Sequence, residues 1–275
     1  MNNHQELSYE LYVFKVLTVF REPLFRKIIG KIAIPPGSKG LDAGCGPGFI
    51  TRILAEQTGK EGHVTGLDIS RDFLDYANKM HKQENLDFVY GDVNNLPFDD
   101  GVFDWVWSVD TVWPGPKEMG CPAENPSGII HEYHRVLKPG GKIFILYWTS
   151  QKLLPGYPIL EARLNTTSSA TAPFAEHLAP ENHVMNARKW LQDAGFKDTC
   201  SRTFLHDINA PLSENDRESL FILFDMLWSS AEKELDIKDY QKYKSLCDPL
   251  SPDNVLNNTE YSGFYTYTMF KGLNR

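Results

Sequence analysis

Three glycines at alternate positions follow an aspartate in the run Leu41-Asp42-Ala43-Gly44-Cys45-Gly46-Pro47-Gly48-Phe49-Ile50-Thr51. Glycine alone takes positive φ without penalty, so such a run turns sharply. It also lets main chain lie against a ligand that a Cβ would push away. The stretch before it reads as the end of a buried strand and the stretch after it as the start of a helix. Unpaired N–H groups and the positive dipole end of that helix suit a carboxylate or a phosphate. Asp42 would repel a pyrophosphate but attract an ammonium. A ligand with carboxylate and ammonium on one carbon, such as a methionine tail, satisfies both halves.

Spacing narrows the choice. A dinucleotide fingerprint starting at Gly44 needs glycine at position 49, where this chain has Phe49, and Gly48 comes one residue early. A phosphate loop of the Gly-Lys-Ser/Thr type is missing its ending. Asp68 lies 22 residues after Gly46 at the end of the short strand expected over Val64–Asp68. An acid there can accept bonds from both hydroxyls of a ribose. Ser70 is the better N-cap for the helix that follows, which leaves Asp68 for the ligand.

The block Asp42–Gly48 resembles motif I of the class I S-adenosylmethionine-dependent methyltransferases. The match continues through Gly66-Leu67-Asp68-Ile69-Ser70, Gly91-Asp92-Val93 with Leu96-Pro97-Phe98, Phe103-Asp104-Trp105-Val106, and Arg135-Val136-Leu137-Lys138-Pro139-Gly140-Gly141. The blocks stand in the family's order and spacing and cover residues 37–149. The pattern looks closest to the small-molecule branch that includes the quinone-biosynthesis C-methyltransferases. The resemblance implies S-adenosylmethionine as cofactor. It also implies an α/β fold: a doubly wound, Rossmann-like, seven-stranded and mostly parallel sheet whose last strand is antiparallel, with helical lid insertions.

The resemblance further assigns the cofactor contacts. Asp42, Gly44 and Gly46 belong to the glycine turn, Asp68 to the ribose, and Ile69 to one face of the adenine. Asp92 would hold the adenine amino group, and the N–H of Val93 a ring nitrogen. Ser108 would lie under the methionine part. N-terminal helices in this family often cover the cofactor and can supply a tyrosine, which makes Tyr9 and Tyr12 candidates. Where methyltransferases of nucleobases and glutamine carry Asn/Asp-Pro-Pro-aromatic, this chain has Ser108-Val109-Asp110-Thr111, so that branch is disfavoured.

The bulk properties agree with a small-molecule enzyme. The 275 residues allow one large core, or one core with a smaller cap, and the net charge of −8 comes without a dense Lys/Arg run. Such a surface lacks the phosphate-neutralising patch on which nucleic-acid affinity depends. Cys45, Cys121, Cys200 and Cys247 lie far apart, with neither C-x-x-C nor zinc spacing, which reads as reduced thiols. No apolar run approaches a membrane span, and Met1–Glu10 lacks a signal-peptide layout. A cytoplasmic protein is expected.

The elements that position these residues follow from periodicity. Residues 1–36 read as an N-terminal helical cap, in two helices with Pro23 in the first turn of the second. Residues 37–149 form the cofactor-binding core, in which Phe73, Leu74, Ala77 and Met80 make the inward stripe of its second helix. A flap is expected over 150–182, core again over 183–210, a helical lid insertion over 211–261, and the last strand over 262–275. The connection from Asp110 and Trp113 to Pro126 is long, and long connections at strand carboxyl ends usually carry specificity.

Methyl transfer from a sulfonium is an in-line displacement whose leaving group is already activated. The protein must align the reactants and exclude water. It needs no nucleophile, metal cluster or triad, and the sequence shows none. A base is required only if the acceptor arrives protonated. Asp110, His177, His183 and His206 are candidates without an assignment among them, and His131 and His134 read as structural. The acceptor is expected to be a small organic molecule methylated on O, N or C. Two other classes keep the same turn: a non-catalytic S-adenosylmethionine-binding regulator, and a nicotinamide-dependent dehydrogenase, which Phe49 disfavours.

Overall fold

The computed structural model describes residues 3–174 and 179–275, with the backbone alone for residues 3–6. Its seven strands are β1 (Lys39–Ala43), β2 (His63–Asp68), β3 (Leu86–Tyr90), β4 (Phe103–Val109), β5 (Leu137–Lys152), β6 (Lys197–Asn209) and β7 (Ser262–Leu273). They form one sheet in the order β3-β2-β1-β4-β5-β7-β6. Strands β1 to β5 are parallel. β7 runs against β5: Asn274 bonds to Gly140 and Gly141, while Thr266 meets Thr149. It runs against β6 as well, since Thr203 meets Thr268 and Asn209 meets Ser262. β1 pairs with β2 on one side and β4 on the other. That is the switch point, above whose carboxyl end ligands bind in open α/β sheets.

Among the described residues ten α-helices accompany the strands: α1 (Asn3–Ile32), α2 (Phe49–Thr58), α3 (Arg71–Met80), α4 (Ser127–Val136), α5 (Pro158–Leu164), α6 (Ser168–Thr171), α7 (Ala187–Asp193), α8 (Glu214–Trp228), α9 (Ala231–Glu234) and α10 (Ile237–Cys247). The chain divides into two compact units. One comprises Met1–Trp148, Glu176–Phe204 and Tyr267–Arg275, and the other Thr149–Ala175 and Leu205–Thr266.

The first unit is built on buried β1, β2 and β4, from Leu41 and Val64 to Trp105, Val106 and Trp107. α1 differs from the expected pair of helices, because it runs unbroken through Pro23. An interior proline costs about 3 kcal/mol. Val16, Leu17, Phe20, Leu24, Phe25, Ile28 and Ile29 are all buried, so one apolar stripe continues across the proline and holds both halves. Each such side chain contributes roughly 1.5–3 kcal/mol. On α3 only Leu74 and Ala77 are buried, whereas Met80 is 56% exposed in the last turn, so the expected inward stripe ends one turn early.

The second unit has its own core. Phe224 stacks on Trp228 at 5.4 Å, and the Trp228 indole N–H donates to Asn165 at 3.0 Å. Glu161 is buried and accepts the Leu153 N–H at 2.6 Å, while the Tyr261 hydroxyl donates to the Leu153 carbonyl at 3.0 Å. The stretch 150–180, weak in periodic signal, thus includes the two short helices α5 and α6.

Candidate active site

The glycine turn is held by its neighbours in space. Gly44, Gly46 and Gly48 have φ of 81°, 52° and 79°, all in the region where side chains are strained. The N–H groups of Gly44 and Cys45 donate to the Leu67 carbonyl at 2.8 and 2.9 Å, joining the turn to the end of β2. Gly44 and Gly48 are enclosed, since a Cβ would lie 2.1 Å from Thr111 and 2.6 Å from the Phe88 ring. At Gly46 the nearest atom would be Phe14 of α1, at 3.7 Å. Of the three, Gly46 alone has room for a Cβ, in van der Waals contact with Phe14.

Asp68 joins the first two motif blocks. Its Oδ2 accepts the Gly46 N–H at 2.8 Å and its Oδ1 the Ser70 N–H at 2.8 Å. Ser70 caps α3 by accepting the Phe73 N–H, as its residue type implies. The third block joins through backbone, because the Gly91 N–H donates to the Asp68 carbonyl at 3.0 Å. Asp92 is exposed and uses Oδ1 for the N–H and side-chain amide of Asn94, both at 2.8 Å. The Val93 side chain is buried, and its N–H has no acceptor among the described residues. Ile69 is 61% exposed beside these groups. Arg71 lays its guanidinium over Tyr90 at 3.8 Å, at the ends of α3 and β3.

Two of the expected contact residues have hydrogen-bond partners inside the protein. Asp42 is buried and accepts the Thr51 hydroxyl at 2.8 Å. Burial raises its pKa to about 7, the Thr51 bond opposes that rise, and the charge of Asp68 adds to it. Ser108 is fully buried: it donates to the Ala43 carbonyl at 3.0 Å and lies 3.3 Å from the Tyr133 hydroxyl. Its hydroxyl ties β4 to β1 and does not reach the surface of the turn.

Asp110 follows β4, next to Thr111, and burial raises its pKa against the pull of Arg21, Tyr267 and the Trp148 N–H. His183 caps a short 3-10 turn through the Met185 N–H at 3.2 Å. His206 packs on Tyr265 at 5.2 Å in the second unit, and His177 lies outside the described residues. His134 packs edge-on against Phe196 at 4.9 Å, a structural position. Tyr9 and Tyr12 are exposed on α1, with ring centroids 6.4 Å apart. Phe49, the residue that breaks the dinucleotide pattern, opens α2 and packs on Tyr76 and His81.

Thr51, Thr111 and Phe88 support the turn in roles that residue type and spacing do not give, since each acts through a contact that the chain path creates. All four cysteines are free. Among the described residues no group of three His, Cys, Asp or Glu side chains could hold a metal ion, and no helix is long and apolar enough to cross a membrane. A cavity of about 350 Å³ lined by Pro36, Trp105, Lys138 and Phe144 lies at the amino ends of the strands, opposite the glycine turn.

Comparison with known proteins bears on this site. Residues 41–145 match the methyltransferase domain family. The demethylmenaquinone methyltransferase of Staphylococcus epidermidis is 37% identical over 142 residues, covering 51% of this chain and 55% of that protein. Its counterpart in Lysinibacillus sphaericus is 37% identical over 127 residues, 46% of this chain and 50% of that protein. The chain thus spans about half the length of the relatives it matches. Among solved structures, the YcgJ protein of Bacillus subtilis shares the fold with a TM-score of 0.53 at 14% identity, over 91% of this chain and 98% of that one. Phosphoethanolamine N-methyltransferase 2 of Haemonchus contortus, solved with S-adenosyl-L-methionine, has a TM-score of 0.51 at 17% identity, over 90% of this chain and 51% of that one.

Proposed function

We infer, from a chain whose residues 41–145 match the methyltransferase domain and which resembles the class I S-adenosylmethionine-dependent methyltransferases of the quinone-biosynthesis type, that it methylates a small organic acceptor. The observation that carries the reading is the union of three motif blocks at Asp68, which takes the Gly46 N–H on its side chain and the Gly91 N–H on its carbonyl.

S-adenosylmethionine suits the residues present. Asp68 is a carboxylate at a strand's carboxyl end, where a ribose is held. Val93 offers an N–H without an acceptor among the described residues, suited to an adenine ring nitrogen. Gly46 presents main chain without a Cβ, and the nearest atom to its Cβ position is in Phe14, at 3.7 Å. In this reading Ile69 packs on the adenine, Asp92 holds its amino group through Oδ2, and Gly44 shapes the turn. Asp42 lies within, where a bound ammonium would favour its ionised form, and Ser108 acts by fixing β4 against β1.

When bound, the cofactor supplies an activated methyl group to the acceptor's nucleophilic atom, and the electron pair of the broken C–S bond stays on sulfur. The chain's own residues orient that group and exclude water. Quinone-like acceptors are the first to try, given what the relatives are named for.

Calorimetry with S-adenosylhomocysteine tests the cofactor, and labelled methyl transfer to a panel of small acceptors tests the reaction. Asp68→Ala removes a charged hydrogen-bonding group, each such bond being worth roughly 1.5–3 kcal/mol, so affinity should fall at least tenfold. Unchanged affinity would overturn the placement. Binding without any methylated product would assign a sensing role instead.

A further inference from the structure

His81 stands at the carboxyl end of α3, 34 residues from the turn in sequence, and its Nε2 lies 3.1 Å from the Pro47 carbonyl. A carbonyl only accepts, so Nε2 carries the proton. Burial, with the charge of Arg52 on α2, disfavours a second proton on the ring, against the Pro47 contact that favours it. The neutral imidazole is thus the tautomer that donates. The ring is set by aromatic neighbours: Phe49 edge-on at 5.3 Å, Tyr76 at 6.3 Å and Phe88 at 6.4 Å. Phe88 also fills the space beneath Gly48 and Gly66, so the same side chains back the turn from behind.

The consequence follows from peptide planarity. The Pro47 carbonyl shares a rigid plane with the Gly48 N–H, and that N–H donates to the Cys45 carbonyl at 3.1 Å. The Cys45 carbonyl shares its plane with the Gly46 N–H, which donates to Asp68 Oδ2 at 2.8 Å. Two planes and three hydrogen bonds therefore run in series from the His81 imidazole to the Asp68 carboxylate. Among the described residues, the Pro47 carbonyl has no other donor. Glycine has more conformational freedom to lose than any other residue, so a turn with three of them has much to restrain, and this chain of bonds restrains it from the side away from the proposed ligand. Bonds in such series also polarise one another.

We propose that His81 is a positioning residue for the cofactor: by holding the Pro47 carbonyl it sets the planes of the glycine turn and, through Gly46, the orientation of Asp68. The proposal rests on the functional reading above, in that the ligand held is an adenosyl amino acid. His81 itself touches neither the ligand nor the reacting atoms.

His81→Phe keeps the ring among Phe49, Tyr76 and Phe88 and removes the donor, and His81→Gln restores a donor. S-adenosylhomocysteine affinity by calorimetry, the thermal midpoint, and amide exchange of Gly46 and Gly48 are compared across the three proteins. His81→Phe should keep the midpoint, speed exchange at both glycines, and weaken binding roughly three- to tenfold, the loss of one hydrogen bond. His81→Gln should recover most of the affinity, with the acceptor KM unchanged throughout. Affinity and exchange unchanged in His81→Phe would overturn the proposal. So would a loss of affinity that only tracks a lowered midpoint. If the wild-type protein binds no S-adenosylhomocysteine, the functional reading falls. The role of His81 in setting the turn is then judged by exchange alone, supported by faster exchange in His81→Phe and overturned by equal rates.

Discussion

The Tyr267 hydroxyl donates to Asp110 Oδ2 at 2.5 Å, across 157 residues of sequence. Arg21 reaches the same pair, donating to the Tyr267 hydroxyl at 3.1 Å and lying 3.6 Å from Asp110 Oδ2, while the Trp148 N–H donates to Oδ1 at 3.0 Å. One carboxylate thereby gathers α1, β5 and β7 at the end of β4. Asp110 has φ of 48°, strained for a residue other than glycine, and three partners hold it there. Thr111, the next residue, is the one that closes over Gly44.

Tyr267→Phe should lower unfolding free energy by about 1 kcal/mol, because it leaves a half-buried carboxylate short of a donor. Chemical denaturation measures it. A loss below about 0.5 kcal/mol would mean that Arg21 and Trp148 suffice for Asp110.

The three turn glycines should separate by variant. Gly44→Ala and Gly48→Ala drive a Cβ into Thr111 and Phe88, so both should lower the thermal midpoint by several degrees. Gly46→Ala meets nothing closer than 3.7 Å and bears only the cost of its positive φ, about 1 kcal/mol. It should fold yet lose most of its affinity for S-adenosylhomocysteine. Equal affinity in Gly46→Ala and wild type would place the ligand elsewhere.

Asp42 predicts a pH dependence. Its carboxyl is held at about 7 in the folded protein against an ordinary value of 3.8. Between these pH values the folded state binds the proton that the unfolded state releases, so stability falls as pH rises. Asp42→Asn removes the titration and should flatten that slope between pH 4 and about 7. Stability curves of the two proteins that stay parallel over this range would show that Asp42 ionises freely.

What is local in cause could be read from residue types alone. Positive φ at Gly44, Gly46 and Gly48, the Ser70 cap of α3 and the strand end at Asp68 are backbone requirements met by residues within a few positions. The matched order of five motif blocks carried the sheet as well, including the antiparallel β7. Tertiary structure alone decided the rest, because it depends on which distant side chains packing brings into contact. Pro23 ends a helix by local rules, but the buried stripe on both sides of it carries α1 through. Ser108 and Asp42 have residue types suited to a ligand, yet their nearest partners are Ala43 and Thr51. His81 has no motif around it and gains its place at Pro47 only when α3 lies beside the turn. Sequence spacing specifies the turn. The contacts that hold it still are made by residues folded in from elsewhere, since hydrogen bonds reach only about 3 Å and depend on the final path of the chain.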